Sequence, residues 1–215
     1  MRKVETIIVL SVILLSFAGT SIAQTFGTLM GGGASSDGEG SVFLLAGNDA
    51  FRTGIAARFN ITRVADFGIQ LGLDRVCETS FWGGGGDLKL VLLESRKNLP
   101  LNLALDASLG KLDSRDVKQF LFAFGILASG IIETSQWRTV EPYLSFLVLV
   151  KQVDRDAARG SSLESCLCPT GEDDTDAETL VRAGVKLSLT RETQLLLETE
   201  LGDHALFGAG FNVVF

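Results

Sequence analysis

The sequence predicts an all-β fold, a transmembrane antiparallel up-and-down β-barrel of about ten strands, with eight strands as the alternative count. Three observations support this prediction. Apolar residues recur at every second position in one segment after another, which is the period of a β-strand. The face opposite these residues mixes glycine and alanine with polar and charged residues. The chain ends within such a segment, on Phe215, whereas the last residues of a soluble chain are usually loose and polar.

The first part of the 215-residue chain has the layout of a secretory signal peptide. Two basic residues at positions 2 and 3 precede an apolar stretch at residues 7–17, and small residues precede Gln24. The apolar stretch is shorter than the ~20 residues of a spanning helix, which makes a membrane anchor the weaker reading. We therefore expect residues 1–23 to be removed by cleavage after Ala23 and residues 24–215 to form one domain outside the cytoplasm.

Nine alternating segments begin at Phe51 and are predicted as strands. Their sequences are, in chain order, FRTGIAARFN, ADFGIQLGLD, DLKLVLLE, LNLALDASLGK, QFLFAFGI, YLSFLVLVK, LVRAGVKLSLT, QLLLETEL and FGAGFNVVF. In the first segment Ile55 and Phe59 share one face, and Arg52 and Arg58 share the other. Strands of roughly 9–11 residues are long enough to cross a bilayer when they are tilted.

A tenth strand is expected before Phe51, because bacterial membrane barrels have an even number of strands. We predict this strand at residues 25–35, TFGTLMGGGAS, followed by an outer loop. The alternative is SVFLLAG at residues 41–47, followed by a tight turn at Asn48 and Asp49.

The composition of the two faces distinguishes a membrane barrel from a soluble sandwich or barrel, which is the alternative architecture. So many glycines and alanines would leave the solvent face of a soluble protein bare, whereas they suit the narrow lumen of a small membrane barrel. The connections agree with this reading. Short ones (TRVA, SRKNL, TSQW and TRET) are expected on the periplasmic side, and longer ones (VCETSFWGGGG and Val153–Asp176) on the outer side.

The predicted lumen contains charges of both signs. They are Arg52, Arg58, Asp66, Asp74, Lys89, Asp106, Arg182, Lys186, Glu198 and Glu200. The last four lie on neighbouring antiparallel strands, so we expect cross-strand ion pairs among them. We favour a lumen filled by salt bridges, because barrels near eight strands leave little open space. The alternative is a narrow path for ions or small solutes.

The last residues, GAGFNVVF, resemble the C-terminal assembly signal of bacterial outer-membrane β-barrel proteins. That signal has a glycine, alternating apolar residues and a terminal aromatic residue, and the matching positions here are Gly210, Phe211, Val213 and Phe215. The resemblance to this class, with its small porin-like barrels of 8–10 strands, implies location in the outer membrane of a Gram-negative cell. It also implies insertion by the barrel assembly machinery.

The predicted outer loops contain the remaining candidates for chemistry. One disulfide between Cys77 and either Cys166 or Cys168 would leave one thiol over. The segment Val153–Glu178 carries eight acidic residues, which we interpret as a solvated loop, with Ca²⁺ binding as the alternative.

Cations at the outer strand ends could contact the phosphates of lipopolysaccharide, although neighbouring carboxylates compete for them. They are Arg75, Lys111, Arg115, Lys118, Lys151 and Arg155.

The predicted role is structural or surface-binding, through the outer loops of a monomeric barrel. The formal charge of −7 argues against a nucleic-acid partner. The resemblance to outer-membrane barrels implies outer-membrane lipid and lipopolysaccharide as the surroundings. We expect no catalytic residue, no metal site and no cofactor. Two other functions remain, a narrow channel and a lipid-acting enzyme, for which His204 is the only histidine available.

Overall fold

The computed structural model describes residues 38–48, 50–76, 79–95, 100–114, 117–135, 138–154, 175–202 and 204–215. The expected signal peptide, the strand predicted at residues 25–35, the three cysteines and most of the acidic loop lie outside these ranges. No helix within the described ranges is long and apolar enough to cross a membrane.

The described residues form eleven strands. They are β1 (Glu39–Ala46), β2 (Ala50–Thr62), β3 (Ala65–Val76), β4 (Thr79–Leu93), β5 (Leu101–Asp113), β6 (Lys118–Gly130), β7 (Ile132–Ser135), β8 (Arg138–Asp154), β9 (Thr175–Ser188), β10 (Thr193–Leu201) and β11 (Ala205–Val214). The short β7 pairs only with β8 and continues β6 beyond Ile131. β6 and β7 therefore count as one strand of the barrel wall. The result is a ten-stranded barrel.

The sheet closes on itself. Every strand except β6 pairs antiparallel with the next strand along the chain. β6 pairs with β8 instead of β7, and β1 pairs with both β2 and β11. Closure removes the open edge that would expose unpaired backbone groups to lipid. The predicted all-β, up-and-down barrel of ten strands is confirmed.

The first strand differs from the preferred prediction. β1 occupies residues 39–46, which overlap the alternative segment at residues 41–47, and it fills the position between β11 and β2. The tight connection after Ala46 brings β1 directly beside β2, so the hairpin forms from adjacent residues and needs no outer loop.

The glycine run of the fourth strand was also wrongly predicted as a loop. Gly83 to Gly86 lie within β4, opposite Gly72 to Ile69 on β3 and Leu112 to Leu109 on β5. Ladder hydrogen bonds use backbone groups, so two flanking strands can hold four glycines extended even though glycine has a low strand preference.

The barrel has an apolar exterior. Alternation along each strand leaves large apolar side chains exposed on the outside, for example Ile55 (55%), Leu71 (63%) and Phe215 (66%). A continuous band of such residues is unfavourable in water and is what the hydrocarbon of a bilayer requires. The structure therefore has the surface of a membrane-spanning barrel.

The two ends of the barrel differ. We call the end with the connections β1–β2, β3–β4, β5–β6, β8–β9 and β10–β11 the loop end, and the opposite end, where Gly38 and Phe215 meet, the turn end. Two apolar clusters lie inside the barrel toward the loop end. One is built around Phe81, Leu112 and Leu149, and the other around Leu45 and Leu206.

Candidate functional site

The candidate site is the charged interior of the barrel. The same alternation that exposes apolar residues turns the other face of each strand inward, where nearby strands bury it. Most of the inward charges predicted from the sequence are less than 10% exposed. They are Arg52, Arg58, Asp66, Asp74, Lys89, Arg182, Lys186, Glu198 and Glu200, whereas Asp106 is partly exposed.

The loop-end half of the lumen contains a four-residue charge network on β2, β3, β9 and β10. Arg52 Nε donates to Asp74 Oδ2 at 3.2 Å, and Arg52 Nη1 donates to Glu200 Oε1 at 3.0 Å. The other oxygen of Glu200 accepts from Arg182 Nε at 2.7 Å. Two guanidinium groups and two carboxylates are therefore paired, and the network carries no net charge.

Glu198 lies beside this network but has a different partner. The Tyr143 hydroxyl on β8 donates to Glu198 Oε2 at 2.6 Å, although β9 lies between the two strands. The tyrosine can cross β9 because Gly184, directly opposite it in the ladder, has no side chain. A Cβ at position 184 would lie 2.4 Å from the phenol oxygen.

Two ion pairs occupy the turn-end half of the lumen. Lys89 Nζ on β4 lies 2.9 Å from Asp66 Oδ2 on β3, and Arg58 on β2 pairs with Asp87 on β4. All four side chains are almost fully buried. Arg58 reaches past β3 at Gly68, which has no side chain and lies between the two strands.

Lys186 on β9 pairs with Glu39 on β1 rather than with a residue of β10. Its Nζ lies 3.3 Å from Glu39 Oε1, while Asn212 of β11 donates to Glu39 Oε2 at 3.2 Å. Asn212 also donates to Gln194 on β10 at 2.8 Å. This chain of contacts joins four consecutive strands across the seam where the barrel closes.

Lys151 was assigned from the sequence to the cations at the outer strand ends, and the structure corrects this. It is 6% exposed, lies inside the barrel and pairs with Glu178 at 2.7 Å. Glu178 likewise belongs to β9 and the lumen rather than to the acidic loop. Lys111, Lys118 and Arg75 are exposed on the outside, and Arg115 and Arg155 lie outside the described residues.

Of the four lumen residues selected from the sequence, the structure brings Arg182 and Glu200 together across the β9–β10 ladder. Lys186 and Glu198 instead pair with residues two or more strands away. Sequence reasoning missed Glu39 and Tyr143 as partners. Glu39 was missed because its strand was placed elsewhere. Tyr143, the only tyrosine of the chain, lies on the polar face of its segment, and this position could have indicated that its hydroxyl points into the lumen.

The residues that resemble the assembly signal lie at the closing seam. Phe211, Val213 and Phe215 point outward and are exposed, whereas Gly210 is buried on the inner face. The backbone N–H of Phe215 donates to the carbonyl oxygen of Gly38 at 2.9 Å, just before β1. The last residue of the chain is therefore tied to the first strand.

Two further kinds of group could support chemistry, the histidine and the possible metal ligands. His204 lies just before β11 and is partly buried. Among the described residues, no group of three histidine, cysteine, aspartate or glutamate side chains is arranged to hold a metal ion. Paired charges in a low-dielectric lumen hold one another in place, because breaking a pair leaves a buried charge uncompensated.

Comparison with known proteins gives the class of the fold. No protein-family model and no curated protein matches the sequence. The β domain of the Bordetella autotransporter BrkA is similar in structure, with a TM-score of 0.50 and 10% identity over 84% of this chain and 100% of that chain.

Two other solved structures are more distant. LpxR from Salmonella typhimurium has a TM-score of 0.42 and 10% identity over 77% of this chain and 73% of its own. OmpT, an outer membrane protein of Vibrio cholerae in its trimer form, has a TM-score of 0.37 and 10% identity over 92% of this chain and 72% of its own. At such identities the likeness concerns the fold. The chain is a ten-stranded β-barrel with the fold of bacterial outer-membrane β-barrel proteins.

Proposed function

We propose that the protein is a monomeric outer-membrane barrel with a closed lumen, which acts in a structural or surface-binding role through its outer loops. The observation that carries this proposal is the burial of the inward charges. Arg52, Glu200 and Arg182 are at most 5% exposed, which means that they have almost no contact with solvent from either end.

The apolar clusters support the same conclusion. Phe81, Leu112 and Leu149 are fully buried inside the loop-end half, as are Leu45 and Leu206 on the opposite wall. Water-filled channels are lined by polar groups, and clusters of large apolar side chains inside a narrow barrel oppose the entry of hydrated ions.

Conductance measurements test the closed lumen. The refolded protein, inserted into planar lipid bilayers, is expected to give no stable current steps above those of the bare membrane. Steps whose size changes in Lys186→Gln or Glu198→Gln, but not in the exterior control Arg75→Gln, would support the narrow channel instead.

Surface display of the loops is tested by epitope insertion. A tag in the 155–174 connection at the loop end is expected to be accessible to antibody on intact Gram-negative cells. A matched tag in the 94–100 connection at the turn end should be accessible only after the outer membrane is permeabilised. The reverse result would invert the proposed orientation, and soluble periplasmic recovery of the protein would contradict the membrane location.

The proposal includes no enzymatic activity. The purified protein is expected to release no fatty acid from outer-membrane lipids. Hydrolysis that is lost in His204→Ala but kept in the loop-end variant Lys118→Ala would establish the lipid-acting alternative.

A further inference from the structure

A groove runs along the outer surface of the barrel near the loop end. Its volume is about 430 Å³, within the range of ligand-binding clefts. The side chains and glycine backbone that line it come from β4, β5, β6 and β8. They include Gly84, Leu109, Lys111, Phe120, Phe122 and Val150.

The strand register shows how the residues of the groove are arranged on the wall. Gly84 on β4 lies opposite Lys111 on β5, and Lys111 lies opposite Phe120 on β6. Gly84 adds no side chain to the outward row, and Leu71 of β3 leans over it, with its Cδ2 2.6 Å from where a Cβ at position 84 would lie. Leu109 and Phe122 form the next row toward the middle of the barrel, so the groove continues as an apolar surface.

Lys111 places a cation at the loop-end part of the groove. Its Nζ lies 5.8 Å from the centroid of the Phe120 ring and 3.1 Å from Asp113 Oδ2. The side chains of Lys111 and Asp113 are both about half exposed, 48% and 44%. An exposed ion pair of this kind leaves donors of the ammonium group available to a second anion, and it contributes little by itself.

The position of the charge relative to the apolar floor selects the occupant. In a bilayer, a lysine near the end of a strand lies at headgroup depth, and the apolar surface below it lies among acyl chains. A phosphate is the anionic group that lipid headgroups offer to an ammonium donor. The shape and charge therefore fit one lipid molecule with a phosphate at Lys111 and a chain over Leu109 and Phe122.

We propose that this groove is a binding site for a phosphate-bearing lipid of the outer leaflet. The phosphate contacts Lys111, and an acyl chain lies over Leu109, Phe122 and Val150. The inference rests on the proposed membrane location and goes beyond it, because it assigns one discrete lipid site to one side of the barrel. A second copy of the chain is the other occupant that the groove could accept, and the experiment separates the two.

The experiment measures lipid retention by native mass spectrometry of the folded barrel in non-ionic detergent. The probe is lipid A with its phosphates, compared with the same lipid after removal of the phosphates and with inorganic phosphate alone. Two variants alter the groove: Lys111→Gln removes the cation, and Val150→Trp fills the apolar part. Two matched controls lie outside it: Arg75→Gln is an exposed cation at the same end, and Val148→Trp is the next outward residue of β8.

The wild-type protein is expected to retain one lipid A molecule in preference to the dephosphorylated lipid. Lys111→Gln should lower retention roughly fivefold, the size expected for one exposed charge contact, and Val150→Trp should lower it at least as much. Both controls should retain the lipid as the wild type does. Inorganic phosphate is expected to compete poorly, because it lacks the chain that fills the groove.

Equal retention by Lys111→Gln and Arg75→Gln, or equal binding of the dephosphorylated lipid, would overturn the proposal. A dimer that Val150→Trp dissociates would overturn it in favour of a second copy. The heat-modifiable gel shift of each variant shows that the barrel is folded. A protein that is stable without detergent would contradict the membrane location, whereas a detergent-dependent barrel without selective retention would contradict the lipid site alone.

Discussion

Arg52 on β2 and Glu200 on β10 form an ion pair across the lumen, with 3.0 Å between Arg52 Nη1 and Glu200 Oε1, although β1 and β11 lie between their strands. Both side chains are fully buried. The pair therefore connects the two strands that flank the seam where the first and last strands of the barrel meet. A contact of this kind resists opening of the seam, because separation of the strands would leave each buried charge without its partner.

Removal of one partner of this pair is expected to destabilise the barrel strongly. Arg52→Ala leaves Glu200 with Arg182 alone and leaves Asp74 without the Arg52 guanidinium, so we expect a loss of about 3 kcal/mol in the free energy of unfolding. Urea titration of the protein in lipid vesicles, followed by tryptophan fluorescence, measures this loss. The exposed control Arg75→Ala should change stability by less than about 0.5 kcal/mol. Equal effects of the two variants would mean that the buried network does not hold the seam.

A side chain at position 184 is expected to displace Tyr143 from Glu198. The Cβ of Gly184→Ala would lie 2.4 Å from the phenol oxygen and 2.7 Å from the carbonyl oxygen of Leu197, so the neighbours must move. We expect the free energy of unfolding to fall by roughly 1–3 kcal/mol, as it does at other overpacked sites. The matched control is Gly40→Ala in β1, whose nearest neighbour would lie at 3.6 Å. The unfolding midpoints of the two variants in vesicles test the prediction. A lower midpoint in both variants, or in neither, would contradict it.

Arginine on the outer face is expected to be unfavourable in proportion to its depth. Ile55 lies near the middle of β2, and Ile61 lies near its turn end, with exposures of 55% and 59%. In a bilayer, Ile55→Arg should lower the free energy of unfolding by about 2–4 kcal/mol, whereas Ile61→Arg should lower it by about 0–1 kcal/mol. Equilibrium unfolding from vesicles measures both values. A soluble barrel would tolerate the two substitutions equally, so equal values would contradict the lipid-facing assignment.

The terminal residue is expected to matter for assembly. Phe215 points outward with 66% of its surface exposed, and its ring packs beside Gly38 at the start of β1. Phe215→Asp places a charge at the closing seam, and we expect the recovered outer-membrane fraction to fall at least severalfold, with loss of the heat-modifiable gel shift. Phe215→Leu keeps an apolar side chain and should retain most of the folded protein. Normal recovery of Phe215→Asp would show that the last residue is dispensable.

The strands were predictable because each is long and alternates without interruption. β5, with LNLALDASLGK, shows the pattern in its simplest form, and the structure places its leucines outward and Asn102 inward. β4 was harder, since Gly83 to Gly86 have no side chains and so carry no alternation. Only pairing with β3 and β5 shows that this run is extended. β1 carries little alternation, because Val42 to Ala46 are apolar on both faces, and only its pairing with β2 and β11 places it in the wall.

The sequence by itself determined which face of each strand meets lipid and which meets the lumen, because that depends on the period of two within a strand. It also determined that the lumen holds balanced charges. Only the tertiary structure decided which charges meet. Lys186 and Glu39 are 147 positions apart, and they come together because the register and closure of ten strands bring β9 and β1 to facing parts of the lumen wall. Contacts of this kind depend on the curvature of the whole barrel, which no local pattern encodes.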